Sequence, residues 1–174
     1  GVKPHAVPME REISLLKDLW GLLRFVVFFL KERPYVVHGN TPKASLLSML
    51  AAWMTCRPTR IYMCHGLRYQ TTHGIKRKLL MFMERLTCSC ATNVIAVSGG
   101  VRQQLIADRL VKEHKTKVVG YGTAGGINTK YFSKEAVNGA IDVRSELNIR
   151  REDFVFCFVG RMVGDKGINE LVEA

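Results

Sequence analysis

The sequence predicts an α/β fold, a parallel sheet with flanking helices. Three observations carry that prediction. Short β-branched runs alternate with helical stretches four times along the chain. Successive runs start about 24 to 34 residues apart, the length of a strand, its crossover helix and the return. The runs also end in small or polar residues, the kind that line a ligand crevice at the carboxyl edge of such a sheet.

The elements follow in order. Ile13 to Glu32 reads as a helix that stops ahead of Pro34. It is apolar on most sides, so it is expected either to be buried or to lie on a membrane. Tyr35–His38 is a buried strand, too short for a helix. Thr41 and Pro42 then form an N-cap and first-turn pair for a helix running to about Cys56, which Pro58 ends. Arg60–His65 is the second strand. A polar loop leads into a helix from Ile75 to Cys90, where Leu79, Phe82, Met83 and Leu86 recur at spacings of three and four. Asn93–Val97 is the third strand, and Ser98 caps a helix carrying Val101, Leu105 and Ile106. Lys117–Tyr121 closes the series. Beyond Phe132 the chain turns polar, with a turn signal at Asn138-Gly139. A helical stretch from Asp142 to Ile149 precedes Asp153–Gly160, the most apolar run and an expected strand.

Gly120, Gly122 and Gly125 spell G-x-G-x-x-G, the dinucleotide-binding fingerprint. That motif needs a helix opening at its second glycine and an acid on a strand end about 20 residues on. Ile127, Tyr131 and Phe132 are too sparse to cover a sheet, and Asn138-Gly139 leaves no room for a strand before Asp142. The loop therefore reads as a glycine-rich exit from the last strand, bent through positive φ.

Charge is uneven. Residues 1–133 hold 20 Lys and Arg against 7 Asp and Glu, whereas residues 134–174 hold 6 against 8. The basic part suits a phosphate-bearing partner or an anionic membrane; a solvated basic face is the competing reading. The five cysteines show no C-x-x-C pair and no zinc-finger spacing, so they are expected to be reduced core thiols with no metal.

Four stretches, Val36–Ala52, Arg60–Thr87, Val94–Leu105 and Phe154–Ala174, together resemble bacterial family-four glycosyltransferases of the GT-B type, those that build capsular, exopolysaccharide or O-antigen repeats. The resemblance implies two Rossmann-like domains facing a cleft: residues 1–133 on the acceptor side, and residues 134–174 as a linker and the beginning of a nucleotide-sugar-binding domain. It implies a piece of a longer protein, cut at both ends, that is inactive alone. It assigns the donor diphosphate to Gly160, Arg161, Lys166 and Gly167, where two cations and a helix start suit that charge. It gives His65, in the family's His-Gly at a strand end, a catalytic place near the donor sugar, with Gly66 beside it. Asn40, Thr41, Pro42, Lys43 and Ser98 fall on the acceptor side of the cleft. Gly125, Gly126, Ile127 and Asn128 stand where the family has a Gly-Ile/Val-Asp turn, with Asn128 in place of Asp. The pair of glutamates separated by seven intervening residues, which the family uses for nucleotide and sugar, does not occur between Gly160 and Ala174.

The implied reaction moves a sugar from a nucleotide sugar, UDP-linked, to a lipid-linked or saccharide acceptor with retention, without a cofactor. The implied location is cytoplasmic, peripheral at the inner face of the plasma membrane. The helix around Leu19–Leu30 and the basic run Arg57, Arg60, Arg68, Lys76, Arg77, Lys78 and Arg85 are the expected contacts with anionic lipid. Two alternatives differ in class: a basic nucleic-acid-binding module, which lacks interleaved aromatics and is not expected, and a non-catalytic nucleotide-sugar scaffold.

Overall fold

The computed structural model describes residues 3–7, 9, 14–123, 125–133, 135–137, 142–163 and 166–173. The chain divides into two compact units, residues 1–126 and 127–174.

In the first unit, helix α1 (Leu15–Glu32) precedes strand β1 (Val36–Gly39), helix α2 (Pro42–Met54), strand β2 (Thr59–Cys64), helix α3 (Gly74–Cys90), strand β3 (Asn93–Ala96), helix α4 (Gly99–Ala107) and strand β4 (Thr116–Val118). The sheet is parallel throughout, in the order β1-β2-β3-β4. Gly39 lies level with Tyr62, Cys64 with Ala96, and Ala96 with Val118. The predicted parallel α/β architecture is present, with strand bounds within a residue or two for β1 to β3. β4 stops at Val118 because Gly120 turns the chain out at φ 58°.

Period-two alternation decides what is buried. Val37, Tyr62, Cys64, Val94 and Ala96 point into the core, where Met49, Ala51 and Ala52 of α2, Cys88 of α3 and Leu105 of α4 meet them. The alternate residues Val36, His38 and Lys117 stay exposed. α2 is buried on most sides, wedged between α1 and α3. α1 answers the choice left open by its composition: Gly21 and Phe29 are buried and Leu22, Phe25 and Val26 pack on the core, while Leu15, Leu19, Leu23 and Val27 remain exposed. Its expected first residue, Ile13, lies outside the described residues. Among the described residues no helix is long and apolar enough to cross a membrane.

Four expectations are corrected. The apolar stripe of α3 faces the core only in part: Leu79 and Phe82 are exposed, Met83 is half-buried, and Leu86 packs on the core with Leu80 and Cys88. The basic run does not form one face. Arg57 donates to Thr55 O, and Arg60 to Cys90 O and Arg57 O, so both serve the carbonyl ends of α2 and α3. Lys76, Arg77 and Lys78 sit at the other end of α3, roughly 20 Å away along a 1.5 Å rise per residue. Cys56 is exposed in a left-handed turn at φ 54°, and Cys157 is exposed too, so only Cys64, Cys88 and Cys90 are core thiols.

The fourth correction concerns the second unit. Residues 154–159 make no ladder, because a strand needs a neighbour to pair with and the described residues of this unit supply none. The expected helix from Asp142 shortens to one turn, α5 (Val143–Glu146), capped by Asp142 accepting from Arg144 N. The unit ends in α6 (Ile168–Glu173). The Asn138-Gly139 turn signal lies outside the described residues.

Candidate functional site

The carboxyl ends of four parallel strands bring the first-unit candidates into one row. Adjacent strands lie about 4.8 Å apart, so residues one or two steps beyond β1, β2 and β3 are neighbours. Asn40 and Thr41 follow β1, His65 and Gly66 follow β2, and Ser98 follows β3.

Thr41 occupies the N-cap of α2 in extended backbone, but its side chain makes no capping bond there; Pro42 presets the first turn. Lys43 is drawn toward α1, its Nζ 2.6 Å from Asp18 Oδ1 with both side chains largely shielded. Asp18 Oδ2 also accepts from Ser14 N at 3.1 Å, so this carboxylate ties the start of α1 to α2. A groove of about 470 Å³ follows the β1 edge, with Phe25 and Phe28 as its apolar wall and His38, Asn40 and Thr41 at its polar end. The larger hollow, about 740 Å³, lies at the opposite end of the sheet, between Arg85 of α3 and Lys112–Lys115. It contains none of the candidate residues.

His65 is exposed directly after β2. Beneath it lies a polar cluster that sequence reasoning missed. Tyr62 Oη donates to Glu84 Oε1 at 2.7 Å, and Cys64 Sγ lies 3.8 Å from the same oxygen and 3.7 Å from Gly66 O. Burial raises the Glu84 carboxyl above the usual carboxylate range, although its bonds from Tyr62 and Cys64 pull it back. Burial, with Glu84 adding, pushes the Cys64 thiol up to about 12. Glu84, held by Tyr62 and Cys64, ties α3 to the end of β2. One signal was available: Glu84 is the lone acid in a basic helix. Nearby, Tyr69 Oη donates to Asp108 Oδ2 at 2.6 Å and fastens the loop after β2 to the end of α4; this bond, then one from Gln104, holds Asp108 below its usual range.

Ser98 Oγ accepts from Val101 N at 3.2 Å and so caps α4 as expected. The glycine loop lies against it. Thr123 N donates to Val97 O, and Gly122, at φ 92°, passes so close that a Cβ there would meet Val97 O at 2.8 Å. No helix opens at Gly122, and Gly125 N donates to Thr123 Oγ1 at 3.1 Å, so the loop is a crossover exit. Thr123, in left-handed backbone at φ 68°, is the residue here that the glycine pattern concealed. Gly126 is exposed beside it.

In the second unit Asn128 Oδ1 accepts from Lys130 N and Tyr131 N at 3.1 Å each. An aspartate would accept the same two bonds, so Asn128 keeps the turn without the charge. Gly160, Arg161 and Lys166 are exposed. Val163 N donates to Arg161 O and Lys166 N to Val163 O, winding the loop toward Gly167, whose φ of 68° launches α6. The helix start lies at Ile168 rather than at Lys166.

A parallel sheet with its polar residues gathered at the carboxyl edge is a ligand-binding α/β domain. Its family is specific: residues 1–122 match the glycosyl transferase 4-like domain, and the chain belongs to that family. It is 39% identical over 170 residues to the capsular polysaccharide biosynthesis glycosyltransferase CapM of Staphylococcus aureus, covering 98% of this chain and 44% of that protein. It is 27% identical over 175 residues to the UDP-Gal:alpha-D-GlcNAc-diphosphoundecaprenol alpha-1,3-galactosyltransferase of Escherichia coli, covering 99% and 44%. The chain thus spans less than half the length of these relatives. Its fold resembles that of Anabaena HepE, crystallised in complex with UDP, at a TM-score of 0.53 and 18% identity over 76% of this chain and 34% of that one.

Proposed function

We propose that this chain is the acceptor-side portion of a retaining glycosyltransferase, together with the opening of its donor-binding part. The whole enzyme moves a sugar from a UDP-linked donor to a saccharide or lipid-linked saccharide in surface polysaccharide synthesis. It acts on the cytoplasmic side, at the inner face of the plasma membrane. The observation that carries this reading is the row of Asn40, Thr41, His65, Ser98 and the glycine loop along one sheet edge of a family-four domain. The S. aureus and E. coli relatives support the pathway and the lipid-linked acceptor.

In this reading the exposed His65 imidazole meets the donor sugar, and half-buried Glu84 with buried Tyr62 fixes the strand end that presents it. The groove along β1 takes the acceptor, its apolar wall against carbon and Asn40 and Thr41 against hydroxyls. Arg161 and Lys166 take the diphosphate, whose charge develops as the glycosidic bond breaks. The test is a chain of the relatives' length carrying these residues, assayed with a panel of UDP-sugars and a diphospholipid-linked saccharide. Transfer with retained anomeric configuration, lowered at least about a hundredfold by His65→Ala, is expected. Inverted product, or full activity in that variant, overturns the retaining reading or the role of His65 respectively.

A further inference from the structure

We propose that the hollow at the amino-terminal end of the sheet is a second ligand site, for a small organic phosphate that ends in a phosphomonoester. Its volume, about 740 Å³, is that of a small-molecule site. The walls come from the last turn of α3, the end of α4 and the 3-10 turn Glu113–Lys115 ahead of β4. Arg85, Arg109, Lys112, His114 and Lys115 line it, with Glu113 as the lone acid. Helix ends do not account for this gathering. α3 and α4 both finish here, and their last carbonyls attract positive charge. At α3 that demand is met by Lys115, whose Nζ donates to Ser89 O at 2.9 Å, and by Arg60, which donates to Cys90 O. At α4 it is met by backbone, since Arg109 N donates to Ile106 O and Leu110 N to Leu105 O. Glu113 is taken by Arg102 at 3.0 Å. Among the described residues, the exposed side chains of Arg85, Arg109, Lys112 and His114 make no hydrogen bond or ion pair.

Unbalanced cations around one concave space concentrate a positive field there. Burial holds the Lys115 ammonium below its ordinary value, and Arg60 and Lys112 add to this against the opposing Cys88 and Cys90. Val111 is only 8% exposed, and among the described residues its N–H has no acceptor, which leaves a donor open on the wall. All of this favours an anion. The rest of the lining decides what carries it. Buried Leu110 and Val111 and half-buried Ile106 give the hollow an apolar part. A bare phosphate would leave that part and most of the volume wet, whereas a phosphate on an organic body fills both. A phosphomonoester puts nearly two charges and three acceptor oxygens on one group, which suits a cluster of cations better than the single charge of a diester. The site uses none of the residues assigned to donor or acceptor, so it stands or fails separately from the transfer reaction.

The experiment titrates the 174-residue chain with adenosine triphosphate as the probe, in magnesium-free buffer, and follows backbone amide shifts. Saturable submillimolar binding is expected, with the shifts concentrated at residues 85–89 and 109–115. Adenosine, which lacks the phosphates, and UDP-glucose, which lacks a monoester, are expected to bind at least about tenfold more weakly. Tripolyphosphate, which lacks the organic body, is expected to be weaker by at least about threefold. The double variant Arg109→Ser/Lys112→Ser alters only exposed side chains and is expected to weaken the probe at least about tenfold at an unchanged urea midpoint. Lys76→Ser/Lys78→Ser removes the same charge elsewhere on the first unit and is expected to leave binding intact. An equal loss in that control overturns the proposal in favour of general charge attraction. Loss in Arg161→Ser/Lys166→Ser, with binding kept in Arg109→Ser/Lys112→Ser, overturns it by assigning the contact to the donor residues. Tripolyphosphate binding as tightly as the probe overturns the organic body, and shifts that never saturate overturn the site.

Discussion

Gly39 shows how closely one residue is specified. A Cβ at this position would lie 2.6 Å from Ser45 Oγ, 2.9 Å from its Cβ and 3.0 Å from its Cα. Two of those atoms are fixed by the α2 backbone, so rotation of Ser45 gives only part of the relief. Gly39→Ala is expected to lower stability by about 1–3 kcal/mol, read as a lower urea midpoint at unchanged slope. Ser45 Oγ is buried with no hydrogen-bond partner among the described residues, so Ser45→Ala is expected to be neutral or stabilising and to restore part of the loss in the double variant. Glu84 gives a second residue-scale prediction, through pH. Its folded carboxyl is raised above the ordinary value of 4.5, so between the two values the folded chain holds a proton that the unfolded chain has released. The resulting stabilisation is complete below about 4.5 and is lost as pH rises through the raised value. Asp108, held low by Tyr69 and Gln104, acts with the opposite sign: its contribution is present above its ordinary range and lost as pH falls. Urea midpoints from pH 4 to 8 should therefore fall less steeply in Glu84→Gln than in the parent chain. An unchanged slope would assign the dependence to other groups.

At the scale of elements, α4 depends on a cap that the sequence announces. Ser98 Oγ satisfies Val101 N, and Ser98→Ala is expected to cost about 1 kcal/mol, with amide exchange rising first at Val101 and its neighbours. Ser98→Asp is expected to retain the cap, which separates loss of the hydrogen bond from loss of contact with the glycine loop. The strands and helices of the first unit were legible because alternation and the three-to-four spacing come from backbone geometry alone. The direction of α3 was not. Periodicity groups Leu79 and Phe82 with Leu86 but does not say which of them the core reaches: Leu86 packs on it, and Leu79 and Phe82 do not. Here the inner side is set by contacts distant in sequence: Tyr62 to Glu84, and Cys88 among Cys64 and Val94. For the same reason Asp153–Gly160 read as a strand. Its composition is that of a strand, but pairing requires partners that composition does not reveal. Of the candidate site, the polar strand ends were legible because a parallel sheet aligns them. Thr123 and Glu84 were not, because the first matters through its φ and the second through its burial.

At the scale of the whole molecule, the donor side carries the sharpest prediction. Arg161 and Lys166 are exposed in the second unit, and the described residues there form two short α-helices, one 3-10 turn and no sheet. A diphosphate held only by exposed cations exchanges water for contacts screened by salt, so each contact is worth little. The same cations held in a water-excluding site are worth about 1.5–3 kcal/mol each, or roughly tenfold to more than a hundredfold in affinity. Residues 1–174 are therefore expected to give no turnover and no calorimetric signal with UDP-sugars at micromolar concentration. A chain of the relatives' length should bind and transfer, and Arg161→Ala or Lys166→Ala in it should each lower kcat/KM by about tenfold to a hundredfold. UDP alone should weaken in the same proportion if, as proposed, the two cations hold the diphosphate and not the sugar. Arg161→Lys should recover only part of the loss, since an ammonium cannot reproduce the two-pronged guanidinium contact. If the variants leave UDP affinity unchanged and reduce only turnover, the two cations act on the reacting sugar and the diphosphate is held elsewhere. If the 174-residue chain itself transfers sugar, the division of labour between its two units is wrong at the root.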